Sequence, residues 1–447
     1  MIMPNKIAFN ENYPDITESN KLYERSKGLI PAFTQTLAKG PAQYVNGVAP
    51  KYLKKGKNAH VWDVDGNEYI DLNMAIGPLS LGYAIPEIDQ AIKDQLESGI
   101  TFSLMHPLEV EVAELIREVV PNAQSVRYSK TGADVVSAAV RLARAFTKKN
   151  KVLCCGYHGW HDWYIAVTDR NAGIPQVIED MSFTFNYNDI QSVIDSIDED
   201  VACVILEPFV FQEPKDNFLQ ELRRICDENN ILLIFDEMWT GFRIALGGAQ
   251  EHFGVRADMA LFSKAVANGM PVGILTGRAD VMALLDKEVF FFTTFGGEAL
   301  SLAATKATIE FMRKNNVQKV IAEKGRRLKD GYNGIARDLG MSYTACSGFD
   351  CRTIMTYDAS AGNPLEMKSL VQQEMIKRGV LWGGFHNVSF TLTEEDIDHV
   401  IACYAEVLPI LKKAVEEGKV KEMLRGEPVG PVFRKTSNFN MKPKNKA

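Results

Sequence analysis

The chain has 447 residues, 46% of them hydrophobic, enough for one large domain or two with a substantial core between them. Fifty Lys and Arg against 57 Asp and Glu give a formal charge of -7, with no strongly basic stretch in the body of the chain, which argues against nucleic acid and anionic membrane and for a small-metabolite partner. Seven cysteines without a C-x-x-C signal neither a disulfide framework nor zinc, no apolar run reaches the roughly 18 residues of a membrane span, and MIMPNKIAFNENYPDITESN has no apolar signal core, so a cytoplasmic protein is expected.

Taken in chain order, NKLYERSKGLIP (residues 20–31) carries apolar residues at helical spacing and predicts a helix that stops at Pro31. HVWDVDGNEYIDL alternates apolar and polar residues on both sides of Asp65-Gly66, the pattern of two strands joined by a tight turn, expected as a small β element outside the main sheet. From about residue 86, amphipathic helical runs (PEIDQAIKDQLESG, EVEVAELIREVV, DVVSAAVRLARAF) alternate with apolar β-rich runs (SVRYS, KVLCCG, VACVILEP, NILLIFDE, MALFSK, PVGILTG). That alternation predicts βαβ units and an α/β fold with a mostly parallel sheet between helices. Beyond residue 300, SLVQQEMIKRGVLWGG and TEEDIDHVIACYAEVLPILKKAVEEG read as a smaller α+β portion. Residues 76–310 are therefore expected to form the large domain, residues 1–75 and 311–430 to combine into a second one, and residues 431–447 to be a basic, aperiodic tail.

Ligands of parallel α/β sheets bind at the carboxyl ends of the strands, so polar residues that follow apolar strands are the ones to weigh. NILLIFDEMWTGF leaves Asp236 and Glu237 at the end of an apolar run, where a charge needs a compensating cation. A protonated heterocyclic nitrogen would serve; so, equally, would a helix N-terminus or Arg243. DMALFSKAVANGMPVGILTG places Lys264 after the next strand, where partial burial turns an amine into a nucleophile and proton shuttle; a solvated strand-end lysine is the alternative. The 28-residue step from Asp236 suits one crossover, so both residues can line one crevice. In SVRYSKTGADVVSAAVRLAR the strand passes through Thr131-Gly132-Ala133 into a helix, whose free N-H groups suit a phosphate as well as a plain N-cap. KVLCCGYHGWHDWY sets Tyr157, a ring able to stack on a flat heterocycle, and His158 after a strand and a glycine; His158 and His161 lack a third ligand nearby, so no metal is expected.

With these residues in place, the sequence resembles the class III pyridoxal-phosphate-dependent aminotransferases of fold type I, and within them the glutamate-1-semialdehyde 2,1-aminomutase branch. The resemblance runs from about residue 20 to about residue 415 and is carried by WDVDGNEYIDL, GYAIPEI, EVEVAELIREVVP, AAVRLARAFT, GYHGWHD, LEP, FDEMWTGFR, LGGAQEHFGVRADMALFSKAVANGMPVG and TTFGGEALSLAA. It implies a seven-stranded-type sheet, the cofactor pyridoxal 5'-phosphate, and Lys264 as the Schiff-base lysine with Asp236 as partner of the pyridine nitrogen. It further implies that Thr131, Gly132 and Ala133 hold the phosphate, that Tyr157 stacks on the ring with His158 counted among the cofactor-binding residues, and that Glu207 is a carboxylate near cofactor and substrate. Thr294 matches a threonine that reaches the phosphate of the neighbouring subunit, which implies a homodimer.

Two departures qualify the implied reaction. The family's N-S-G-T-E reads Lys130-Thr131-Gly132-Ala133-Asp134 here, and PAFTQTLAKGPAQY lacks the arginine with which the aminomutases hold the substrate carboxylate. Met238 and Trp239 beside the catalytic carboxylate imply a bulky pocket. The implied activity is a ping-pong transfer from an amino acid donor, glutamate foremost, to an aldehyde or ketone, with a sugar-derived carbonyl as one acceptor class. An intramolecular aminomutase is the alternative, and a catalytically silent cofactor-binding protein the third.

Overall fold

The computed structural model describes residues 12–209, 211–431 and 442–443. They divide into two compact units, Met1–Ile85 with Lys319–Phe433, and Pro86–Gln318 with Arg434–Ala447. The basic tail expected over 431–447 lies outside the described residues except for Pro431, Lys442 and Pro443.

In the first unit the N-terminal helix spans Thr17–Ser26, starting before Asn20 and ending well short of Pro31. Side chains set its start: Asp15 accepts from the Thr17 amide at 3.0 Å, and Asp65 accepts from the amides of Glu18 and Ser19 at 2.6 and 2.9 Å. It ends where Gly28 turns left-handed at φ 75°. Strands β1 (Leu53–Lys57), β2 (His60–Asp63) and β3 (Glu68–Asp71) form an antiparallel meander, with Val61 opposite Tyr69. The expected hairpin is thus present. Its neighbour β1, LKKGK, escaped the sequence reading because it is polar and largely exposed.

The second unit carries β4 (Ser125–Ser129), β5 (Lys151–Cys155), β6 (Ser182–Thr184), β7 (Val201–Leu206), β8 (Leu232–Asp236), β9 (Met259–Phe262) and β10 (Gly273–Gly277). They make one seven-stranded sheet in the order β4-β10-β9-β8-β7-β5-β6, parallel except for β10, which is antiparallel to both neighbours. Every residue of β7, β8 and β9 is buried, as a strand covered on both faces requires. On one face Val152, Cys154, Cys203, Ile205, Ile234 and Leu261 meet Val135, Ala139 and Leu142 of the helix Gly132–Thr147 in a continuous core. The short edge strand β6, SFT, offers no apolar run and was not predicted.

Returning to the first unit, β11 (Thr344–Phe349), β12 (Arg352–Tyr357) and β14 (Phe385–Asn387) form a three-stranded antiparallel sheet, while β13 (Val380–Leu381) joins β3 in parallel. The helix Glu394–Glu416 opens with a capping box between Thr393 and Asp396. Asp396 also meets His60 Nε2 at 3.0 Å, while Glu68 meets His60 Nδ1 at 2.9 Å. Burial works against a charge on His60, but these two carboxylates outweigh it and hold the imidazole above its ordinary 6.5. A histidine raised in the folded state contributes its full stability below pH 6.5 and loses it as pH climbs through the raised value. Thermal unfolding followed from pH 6 to 8.5 should therefore show stability declining with pH over that window, with a shallower slope in His60→Gln; equal slopes would contradict the role of this pair.

Candidate active site

The carboxyl ends of β5, β7, β8 and β9 lie side by side, because these strands are parallel neighbours. Asp236 closes β8 opposite Leu261 of β9, and Lys264 follows three residues later, in a 3-10 turn over Lys264–Ala267. The crossover has thus put acid and amine at the same edge. Lys264 is half-buried, with φ 50°, in the left-handed region that non-glycine residues rarely enter. Its Nζ stands 4.2 Å from the centroid of the Trp239 ring, a cation–π contact.

Asp236 is 1% exposed. Oδ1 accepts from the Met238 amide at 3.1 Å and Oδ2 meets His158 Nδ1 at 2.8 Å, while His158 Nε2 faces the Cys155 carbonyl at 3.2 Å. The buried imidazole therefore meets an oxygen acceptor at each nitrogen and supplies the acid with a hydrogen-bond partner across the sheet. Arg243, itself buried, donates from Nε to the Trp239 carbonyl at 3.1 Å, and its guanidinium lies 5.6 Å from the centroid of the Trp239 ring.

The tandem carboxylate has a different task. Glu237 accepts from the amides of Ala249 and Gln250 at 2.8 and 3.1 Å and from the Thr240 hydroxyl, fastening the loop after β8 to the helix Gly248–Phe253. Burial pushes its carboxyl up to about 7 against the pull of these donors. The helix-capping alternative considered for Asp236 is what its neighbour does.

Thr131 is the N-cap of the helix Gly132–Thr147: its hydroxyl accepts from the Asp134 amide at 3.2 Å, and Asp134 returns the bond to the Thr131 amide at 3.0 Å. The capping box leaves the amides of Gly132 and Ala133 at the head of a 16-residue helix, the arrangement that suits an anion. Its surroundings tie this turn to the rest of the edge. A side chain on Gly132 would meet Met238 Sδ at 2.8 Å, and one on Gly159 would meet the Ala133 side chain, also at 2.8 Å.

Tyr157 follows Gly156, whose φ of 113° and whose approach to Glu207 Oε2, 2.6 Å from where a Cβ would stand, both require glycine. Glu207, 2% exposed at the end of β7, accepts from the Tyr157 amide at 3.0 Å. Tyr157 is 42% exposed, and its ring lies edge-on to Tyr164 at 5.6 Å. Thr131, Gly132, Ala133, Tyr157, His158, Glu207, Asp236 and Lys264 thus gather at one sheet edge. Thr294 is exposed in a turn between the exposed Phe292 and Phe295. Among the described residues no group of three or more His, Cys, Asp or Glu could hold a metal ion, and no helix is long and apolar enough to cross a membrane. The sequence reading missed the His158–Asp236 and Trp239–Lys264 contacts; only the adjacency of Tyr157 and His158 after β5 hinted at the first.

A model of the family described as Aminotransferase class-III matches residues 43–343. A 3-aminobutyryl-CoA aminotransferase of Cloacimonas acidaminovorans is 32% identical over 411 residues, covering 89% of this chain and 98% of its own. A glutamate-1-semialdehyde 2,1-aminomutase of Acetivibrio thermocellus is 36% identical over 346 residues, covering 72% and 80%. Among solved structures, the PLP internal aldimine form of the Sphingopyxis sp. MTA144 FumI protein superimposes with a TM-score of 0.84 at 26% identity, covering 92% of this chain and 99% of that one.

Proposed function

Because the chain belongs to the class III aminotransferases, we propose that it moves an amino group from an amino acid, glutamate foremost, to an aldehyde or ketone acceptor, using pyridoxal 5'-phosphate. The observation that carries this reading is the buried Asp236 at the end of β8 beside Lys264 at the end of β9. The residues fit the cofactor: the amides of Gly132 and Ala133 with the Thr131 hydroxyl suit its phosphate, the partly exposed aromatic Tyr157 suits its ring, and Asp236 suits its pyridine nitrogen. When bound, the cofactor supplies an electron sink that lets nitrogen leave one carbon and join another.

The chain's own groups do the rest. His158 holds Oδ2 of Asp236, so that the carboxylate stays oriented and its charge stays available to a cationic ring nitrogen. Lys264 Nζ takes the proton from the donor's α-carbon and returns one when the acceptor is aminated. Glu207 fixes the loop that carries Tyr157 through the Tyr157 amide. We further read Thr294 as serving the phosphate of a second copy in a homodimer; exposed Leu104, Met105, Phe290, Phe292 and Phe295 on the same unit support a covered face there. Seven free, buried cysteines support a reducing, cytoplasmic setting.

A ping-pong order follows, the donor's keto product leaving before the acceptor enters. An acceptor without a second carboxylate, such as a sugar-derived carbonyl, is supported by the absence of arginine from PAFTQTLAKGPAQY. Glutamate alone should release 2-oxoglutarate up to one equivalent per cofactor, and the loaded protein should then aminate a member of a carbonyl panel. No keto acid from any of the common amino acids would dismiss the reading. An aminomutase is the second reading, favoured by relatives such as that of Acetivibrio thermocellus; product from glutamate-1-semialdehyde without added donor would install it instead.

A further inference from the structure

We propose that Lys130 is a positioning residue that braces the phosphate-holding turn against Lys264, an inference that rests on the function just proposed. Lys130 immediately precedes Thr131-Gly132-Ala133, yet its ammonium is turned away from an anion role. Nζ meets Glu298 Oε1 at 2.5 Å, Ser301 Oγ at 3.0 Å and the Pro271 carbonyl at 3.1 Å, three acceptors for three protons. Its side chain is 21% exposed and that of Glu298 10%, so the charge is matched inside the protein. Glu298 in turn caps the helix Ala299–Asn315, accepting from the amides of Leu300 and Ser301 at 2.8 and 3.1 Å.

The acceptors of Lys130 lead back to the catalytic lysine. Pro271 and Val272 are the approach to β10, and the Val272 carbonyl accepts from the Ser263 hydroxyl at 2.6 Å, one residue before Lys264. Gly273 pairs with Ser129 in the sheet, and a Cβ on it would stand 2.3 Å from the Thr131 carbonyl oxygen, so the start of β10 lies directly on the turn. Lys130 thereby ties the turn to the segment that begins at Lys264. A rigid cofactor gripped at its phosphate end and joined at its aldehyde end needs that spacing fixed.

The test uses apo-protein in four forms, wild type, Lys130→Met, Lys130→Arg and Glu298→Gln, titrated with pyridoxal phosphate and with unphosphorylated pyridoxal by fluorescence quenching, with melting temperatures alongside. Lys130→Met and Glu298→Gln should each weaken pyridoxal phosphate about tenfold, the worth of one hydrogen bond to a charged group. Pyridoxal should change by no more than about threefold and Lys130→Arg should bind nearly as wild type. Should Lys130→Met fail to fold, Glu298→Gln retains the cap acceptor and decides alone. Unchanged affinity in Glu298→Gln overturns the brace, and if Lys130→Met is weakened at the same time, Lys130 is a direct counter-ion instead. Equal losses for both ligands also overturn it. A wild type that takes up no pyridoxal phosphate brings down the functional reading itself, an outcome distinct from the others.

Discussion

Lys264→Ala is expected to lower turnover by roughly a thousandfold or more, the range set by loss of a positioned proton carrier that is also the nucleophile. The fold should survive. The substitution forfeits a cation–π contact with Trp239 at 4.2 Å, worth about 0.5–2 kcal/mol, and leaves the left-handed turn in place. Lys264→Arg sharpens the test: it keeps the positive charge on the indole face but cannot release its proton at working pH. If charge alone mattered, the arginine variant would retain activity; proton transfer predicts that both fall together. Single-turnover rates with the best amino donor, measured beside melting curves, separate the two. A Lys264→Ala variant with near wild-type turnover would end the account.

Asp236→Asn should have the second largest effect, a fall in kcat/KM of about a hundred- to a thousandfold, the usual cost of removing a preorganised charge from a dry site. The shape of the side chain is kept, and the amide can still accept from the Met238 amide or meet His158, which now lie at 3.1 and 2.8 Å from the two carboxylate oxygens. What disappears is the negative charge buried at 1% exposure. The loss should therefore appear chiefly in kcat, whereas pyridoxal phosphate, gripped by the turn at Thr131, should still bind. A variant that loses the cofactor but is fully active at saturating cofactor would show that Asp236 only aids binding.

Much of this was legible because parallel strands covered on both faces need unbroken apolar runs. VACVIL and LLIFD announce β7 and β8, and whatever polar residue follows must lie at the ligand edge. The short polar strands β1 and β6 carry no such signature and are set by their neighbours. Asp236 and Glu237 show the limit most clearly. Two adjacent acids project in opposite directions from the end of one strand, and the sequence does not say which partner each finds. The folded chain brings His158, 78 positions away, to Asp236, and the start of the helix Gly248–Phe253 to Glu237. Lys130 and Glu298 are 168 positions apart, joined by a contact that no local pattern encodes. Composition and periodicity report what each segment must bury; they are silent on which distant charge will neutralise it.

The most direct measurement is borohydride reduction of the cofactor-loaded protein followed by proteolysis and mass mapping. A stable cofactor adduct on the peptide containing Lys264, lost when Lys264 is replaced, is the predicted result. A fully loaded protein whose Lys264 peptide comes through reduction unmodified would contradict the assignment on which the proposed chemistry stands.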